Sequence, residues 1–258
     1  MTELVITELT QTDTAKQVSQ VLNITFKQVN ATLTLLGDGA TIPFISRYRK
    51  EMTGELDEVQ IRDIQSTAKK VHDLADRKHT VLKAVQEQQQ LTPDLQKAIQ
   101  SAETLQIVED LYLPYKQKRR TKAMIARENG LQPLADFVLS HVTADIPSAL
   151  YINDALPTPE DVLAGLHEIL AEQIGENAIY RQWLRTRMGA DGVLVSNIKR
   201  SGKEKDEQEV YGQYYDYNES IKTLRDNKFR ILAVNRGEKE GILTVKIDFT
   251  EARMIHFI

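Results

Sequence analysis

Between Asp57 and Glu87 the chain has neither glycine nor proline, and its apolar residues recur with a helical period. Ile61, Ala68, Ala75 and Leu82 fall seven apart. Ile64, Val71, Lys78 and Val85 repeat that interval three residues further on, with Lys78 the one polar exception. This repeat predicts a helix over about 57–87, about 45 Å long at 1.5 Å per residue, with an apolar seam. Leu74 and Val81 widen the seam, so burial against several helices of the same chain is expected rather than a two-stranded coiled coil.

Shorter helices are predicted around it. Asp13 or Thr14 can cap one reaching Val21. Thr25 can cap a second, with Val29, Leu33 and Leu36 inward and Gly37 at its stop. Ile42 to Tyr48 reads as a short buried helix with Pro43 in its first turn. Thr92-Pro93-Asp94 starts another, and Leu105 to Leu113 forms one that Pro114 ends. Thr121–Glu128 and Leu131–Val142 read as a helix-turn-helix-like pair about Asn129-Gly130, a region of about 121–142. Thr158-Pro159-Glu160-Asp161 opens a helix to about Ile174, and Ile179–Met188 continues the helical run.

The pattern changes near residue 190. Val193-Leu194-Val195 is short and apolar, and Ser201–Glu209 reads as a charged loop. Phe229–Val234 and Ile242–Ile247 read as strands joined by the turn residues 235–241, a β-hairpin. The expected fold is therefore mainly α: a multi-helix body with a long central helix and a helix-turn-helix-like region, plus a small β-hairpin near the C-terminus. The expected division is 1–190, helical, and 191–258, mixed. The sequence stops inside the apolar run Met254-Ile-His-Phe-Ile258, which reads as a cut within a longer fold.

Composition narrows the function. The 258 residues are 41% hydrophobic and 27% charged, a globular balance. Cysteine is absent, which excludes a disulfide framework, a thiolate nucleophile, Cys-ligated zinc and iron–sulfur chemistry. No apolar run approaches the ~20 residues of a membrane helix. The start, with acids and no basic n-region, is not a signal peptide, so a cytoplasmic protein without a membrane partner is expected.

The net charge is −4, yet one segment runs the other way. Lys116, Lys118, Arg119, Arg120, Lys122 and Arg127 fall within twelve residues containing no acid, and setting them aside leaves 27 basic residues against 37 acidic ones. Two readings stand. The cations can displace counterions from nucleic-acid phosphates, with Thr121 opening a helix whose amides favour an anion. Alternatively, the segment is a solvated loop whose cations pair with Glu103, Glu109 or Asp110. The second helix of the pair offers no Arg or Asn, and Gln132 is its only amide, so base reading by it is not expected.

Arg47, Arg49 and Lys50 surround Tyr48 in a smaller cluster. Charge with an aromatic suits nucleic acid. A helix end, where cations meet the negative end of the dipole, explains the same residues and is the preferred reading. Tyr211, Tyr214, Tyr215 and Tyr217 lie among Asp206, Glu207, Glu209, Asp216 and Glu219, which would repel phosphate, so packing against the body is expected. Enzyme signatures are missing. Gly37-Asp-Gly39 lacks the third glycine of a dinucleotide turn, no phosphate-binding P-loop occurs, and His167-Glu168 lacks a zincin's second histidine. His72, Asp76 and His79 share a helical face but are crowded by Lys69, Arg77 and Lys78. No enzyme activity, cofactor or metal is expected.

Long ordered blocks resemble the bacterial Tex proteins, transcription accessory factors. They are Gly39-Ala-Thr-Ile-Pro-Phe-Ile-Ser-Arg-Tyr-Arg-Lys-Glu51, Glu109-Asp-Leu-Tyr-Leu-Pro-Tyr-Lys-Gln-Lys-Arg-Arg-Thr-Lys122, Ala126-Arg-Glu-Asn-Gly-Leu131, Tyr214-Tyr-Asp-Tyr217 and Ala233-Val-Asn-Arg-Gly-Glu-Lys-Glu-Gly-Ile-Leu243. The resemblance runs over nearly the whole chain. It implies a longer protein that continues into an RNase H-like domain of the YqgF type, helix–hairpin–helix elements and a C-terminal OB-fold RNA-binding domain. It also implies a long helix with a helix-turn-helix region, and binding of nucleic acid, RNA especially. No catalytic residue carries over. The expected function is weakly sequence-selective association with RNA or DNA through phosphates, contacted by Lys116, Lys118, Arg119, Arg120, Lys122 and Arg127 and extended by Arg47, Arg49 and Lys50. The alternative is a protein-interaction scaffold docking RNA polymerase or another transcription factor, with RNA held by the OB-fold domain.

Overall fold

The computed structural model describes residues 9–141 and 145–257 and is mainly α-helical. Two compact units divide between Tyr115 and Lys116.

The first unit begins with α1 (Gln11–Leu22). Its cap is Thr10, whose hydroxyl accepts from the Asp13 amide, so the helix starts ahead of the expected Asp13 or Thr14. α2 (Phe26–Gly37) is capped by Thr25 as expected, and Gly39 takes φ +85° in the turn that follows. Next come α3 (Ile42–Tyr48), with Pro43 in its first turn, and the one-turn α4 (Lys50–Thr53). The long helix is α5 (Glu58–Glu87), opened by a reciprocal capping box between Asp57 and Gln60. α6 (Pro93–Ser101) and α7 (Leu105–Tyr112) follow, and α7 tightens into a 3-10 turn at Leu113–Tyr115.

The seam of α5 serves two cores. Ile61, Ile64 and Ala68 pack with Ala15, Val18, Val29 and Ile45. Val81, Leu82 and Val85 pack with Ile99 and Val108. Lys78, the exception in the pattern, is half-buried and its ammonium donates to the Gln100 carbonyl at 2.8 Å. That burial holds it below the usual lysine range. On the same helix, Arg77 grips Glu109 through two bonds and lies 5.4 Å from the centre of the Tyr112 ring.

The second unit opens with α8 (Lys122–Glu128) and α9 (Gln132–Ser140), joined at Gly130, whose φ is +87°. The expected end of that second helix at Val142 lies outside the described residues. After a 3-10 turn at Ser148–Tyr151 comes α10 (Pro159–Glu176), begun by a capping box of Thr158 and Asp161. Ala123, Ala126, Leu131, Leu134 and Ala135 pack onto its Val162, Leu166 and Ile169. Gly165 permits this approach: a Cβ there would stand 2.6 Å from Leu131 Cδ1. α11 (Ala178–Asp191) completes the helical part.

The chain then forms β1 (Val193–Ile198), α12 (Gly202–Lys205), β2 (Asp216–Ser220), α13 (Ile221–Leu224), α14 (Lys228–Lys239), β3 (Leu243–Asp248) and α15 (Glu251–Phe257). The sheet is antiparallel in the order β2-β1-β3, with Ser196 opposite both Tyr217 and Val245.

The expected hairpin is corrected here. Ile242–Ile247 is a strand, but Phe229–Val234 and the supposed turn after it form α14. Ile231, Val234 and Gly237, spaced three apart, face the core, while Phe229 and Leu232 are exposed. Position 237 takes glycine because a Cβ there would meet Leu243 at 2.7 Å, and Gly241, at φ +75°, supplies the stop. The expected charged loop likewise holds α12.

The tyrosine-rich run is structural. Tyr211 and Tyr214 are buried with Leu194, Leu224, Val234 and Leu243. Asp206, itself buried, accepts the Val210 and Tyr211 amides at 2.8 Å and the Tyr215 hydroxyl at 2.9 Å. The Tyr211 hydroxyl donates to Glu240, and that of Tyr217 to Glu219. Two of the acids expected to repel phosphate, Asp206 and Glu219, are thus acceptors of phenols.

Candidate nucleic-acid interface

The basic segment leads from the start of the second unit into α8. Thr121 caps that helix by accepting from the Met124 amide at 3.1 Å. Four of the six cations have carboxylate partners, and three of the four partners stand at i, i+4 and i+8 along α10: Glu168, Glu172 and Glu176. These glutamates would repel one another if left alone.

Lys118 lies between Glu176 and Glu172, 3.6 Å from the latter. Arg127 donates to Glu172 at 2.6 Å and to Gln132 at 2.9 Å, and the Thr121 hydroxyl reaches the other oxygen of Glu172 at 3.2 Å. The Glu172 side chain is only 15% exposed. Burial pushes its carboxyl up, but the hydrogen bond from Arg127, the charge of Lys118 and the Thr121 hydroxyl together hold it below the usual range. Lys118, Thr121, Arg127 and Glu172 therefore form a half-buried latch fastening the basic segment to α10.

The remaining cations face outward. Arg120 pairs with Glu128 at 2.5 Å and Lys122 with Glu168 at 3.5 Å, but their side chains are 67% and 81% exposed. Pairs so open to water contribute about 0–1 kcal/mol and exchange readily for other anions. Lys116 and Arg119 are exposed and carry no ion pair among the described residues. Glu103, Glu109 and Asp110, the acids considered as partners, belong to the first unit, and Glu109 is bound by Arg77. The partners on α10 were signalled in the sequence only by the four-residue spacing of its glutamates.

The α8–α9 pair buries its apolar faces on α10, and Gln132 bonds Arg127 and, at 2.7 Å, Asp136. Its one amide is already engaged. Arg47, Arg49 and Lys50 lie exposed in the first unit, on α3, at the joint and on α4 respectively. Arg47 sits in the last turn of α3, as the helix-end reading requires, but Lys50 opens α4. His72 meets the Thr14 hydroxyl at 3.3 Å, and no group of three His, Asp or Glu side chains suited to a metal occurs among the described residues. None of the described helices is long and apolar enough to cross a membrane.

The two family matches flank the basic segment. Residues 12–86 match the family model of the Tex-like protein N-terminal domain, and residues 143–256 match that of the Tex central region-like family. The chain is 40% identical over 238 residues to protein YdcI of Bacillus subtilis, covering 90% of this chain and 33% of that protein. It is 42% identical over 233 residues to the transcriptional accessory protein Tex of Neisseria gonorrhoeae, covering 90% and 30%. It is 29% identical over 247 residues to the S1 RNA-binding domain-containing protein 1 of Pongo abelii, covering 93% and 24%. The chain thus spans about a third or less of the length of these relatives. With both matched regions in order along one chain, it belongs to the Tex family.

Proposed function

We propose that this chain is the N-terminal portion of a cytoplasmic transcription accessory protein and associates with RNA or DNA through phosphates, with little sequence selectivity. The observation that carries this reading is the division of labour in the basic segment. Lys118 and Arg127 are engaged on α10, and they present Lys116, Arg119, Arg120 and Lys122 to solvent without a strong internal partner. The relatives add support, since one is named a transcriptional accessory protein and another an S1 RNA-binding domain-containing protein. The reading gives the chain no catalytic residue and no cofactor.

Arginine and lysine at such a site act by releasing condensed counterions from the phosphate chain, which makes binding steeply salt-dependent. The test is Arg119→Ala/Arg120→Ala. On single-stranded RNA each lost phosphate contact should flatten the slope of log affinity against log salt by about 0.7, so by about 1.4 for the pair. Affinity and slope both unchanged would place the contact elsewhere.

A further inference from the structure

The α3–α4 surface of the first unit carries Arg47, Arg49 and Lys50, which the sequence offers as an extension of the phosphate contact, beside exposed apolar side chains. Phe44, Tyr48 and Met52 recur at four-residue intervals and are 40%, 63% and 52% exposed. The Phe44 and Tyr48 rings touch, with centroids 5.5 Å apart and planes tilted by 43°. The guanidinium of Arg49 lies 5.2 Å from the centre of the Phe44 ring. Arg47, Arg49 and Lys50 border this apolar row, and none of the three carries an ion pair among the described residues. A row of large apolar side chains in water beside unpaired cations is the mark of a surface that something covers.

We infer that this surface docks an acidic amphipathic helix of a partner protein. Phe44 and Tyr48 stand one turn apart on α3 and Met52 follows on α4, and amphipathic partners engage such surfaces through apolar anchors one turn apart. Acidic residues flanking those anchors would meet Arg47, Arg49 and Lys50.

Three features favour a peptide over single-stranded nucleic acid. Tilted rings offer successive bases no parallel faces, and Arg49 already occupies a place over Phe44. Met52 has no π-face on which to stack a base. Glu51 and Glu55 stand exposed nearby. A helix can set a carboxylate opposite each cation and a neutral residue opposite each glutamate, which a uniformly charged phosphate chain cannot do.

The test is a phage-displayed library of peptides of about 16 residues, roughly 24 Å of helix, panned against the full chain. The expected winners carry apolar residues one turn apart flanked by Asp and Glu. Synthetic copies should lose about tenfold or more in affinity for Tyr48→Ala/Met52→Ala, as hot-spot anchors do, and comparably for Arg47→Glu/Lys50→Glu. They should bind Arg119→Ala/Arg120→Ala as they bind the parent, which separates this surface from the phosphate-contacting one. The four surface residues changed are exposed, and an unaltered melting temperature would confirm intact folding. Winners without acidic residues, winners indifferent to Tyr48 and Met52, or RNA binding abolished by Tyr48→Ala/Met52→Ala would each overturn the inference.

Discussion

Glu172 is the residue on which the basic segment depends. It receives Arg127, Lys118 and Thr121 in a half-buried setting. Glu172→Gln keeps the shape but removes the charge, leaving Arg127 without a carboxylate and Lys118 with Glu176 alone. We expect it to cost roughly 1.5–3 kcal/mol of stability at neutral pH, the range for a hydrogen bond to a charged group, measured by urea unfolding. The sign of its pH dependence follows from the lowered carboxyl. A group with a depressed folded pKa contributes stability above its unfolded value, about 4.3 for glutamate, and that contribution disappears as pH falls through the lower folded value. The difference in stability between parent and Glu172→Gln should therefore be constant near neutrality and shrink below about pH 4.3. A difference that grows on acidification would contradict the latch.

Single residues were legible in the sequence where their partners are near. Thr25, Thr92 and Thr158 each cap the helix they were expected to cap, because the acceptor and the amide lie three residues apart. Arg127 and Glu172 are 45 residues apart, and Lys118 and Glu176 are 58 apart. Charge alone offers many partners at such separations, so the segment was visible as basic but its anchoring was not.

At the scale of elements, the long helix was legible because its apolar seam recurs through its whole length, and even its lapse at Lys78 is resolved by the Gln100 carbonyl. α14 was not, because one of its inward positions is Gly237, which adds no hydrophobic signal to Ile231 and Val234. What remained, Phe229 to Val234, read as a strand. β2 was hidden in the same way: Asp216-Tyr-Asn-Glu-Ser220 has few strand-forming residues, and its pairing comes from β1. Gly165 gives the element-scale prediction. Gly165→Ala should destabilise by roughly 1–3 kcal/mol in thermal or urea melts, because the new methyl group drives Leu131 out of the α8–α10 contact. A neutral result would mean that Leu131 can move aside without loss.

At the scale of the whole molecule, each of the two units carries an exposed group of cations singled out by the sequence, in a chain whose net charge is −4. The two groups differ in their surroundings. In the second unit the cations stand on a latch of glutamates, and the exposed apolar side chains among them, Met124 and Ile125, are aliphatic. In the first they border Phe44, Tyr48 and Met52. Charge density drew attention to both in the sequence. Only the exposure of the aromatic side chains and the pairing of Lys118 and Arg127 distinguish a surface suited to phosphate from one suited to a peptide.

The central claim is that this N-terminal portion itself contacts nucleic acid. Fluorescence anisotropy of a labelled single-stranded RNA against the 258-residue chain, at two salt concentrations and beside a duplex DNA, measures it directly. The account predicts modest binding at low salt. Four outward cations give a slope of about −2.8 in log affinity against log salt on single-stranded RNA. No binding at low salt, or binding indifferent to salt, would contradict it.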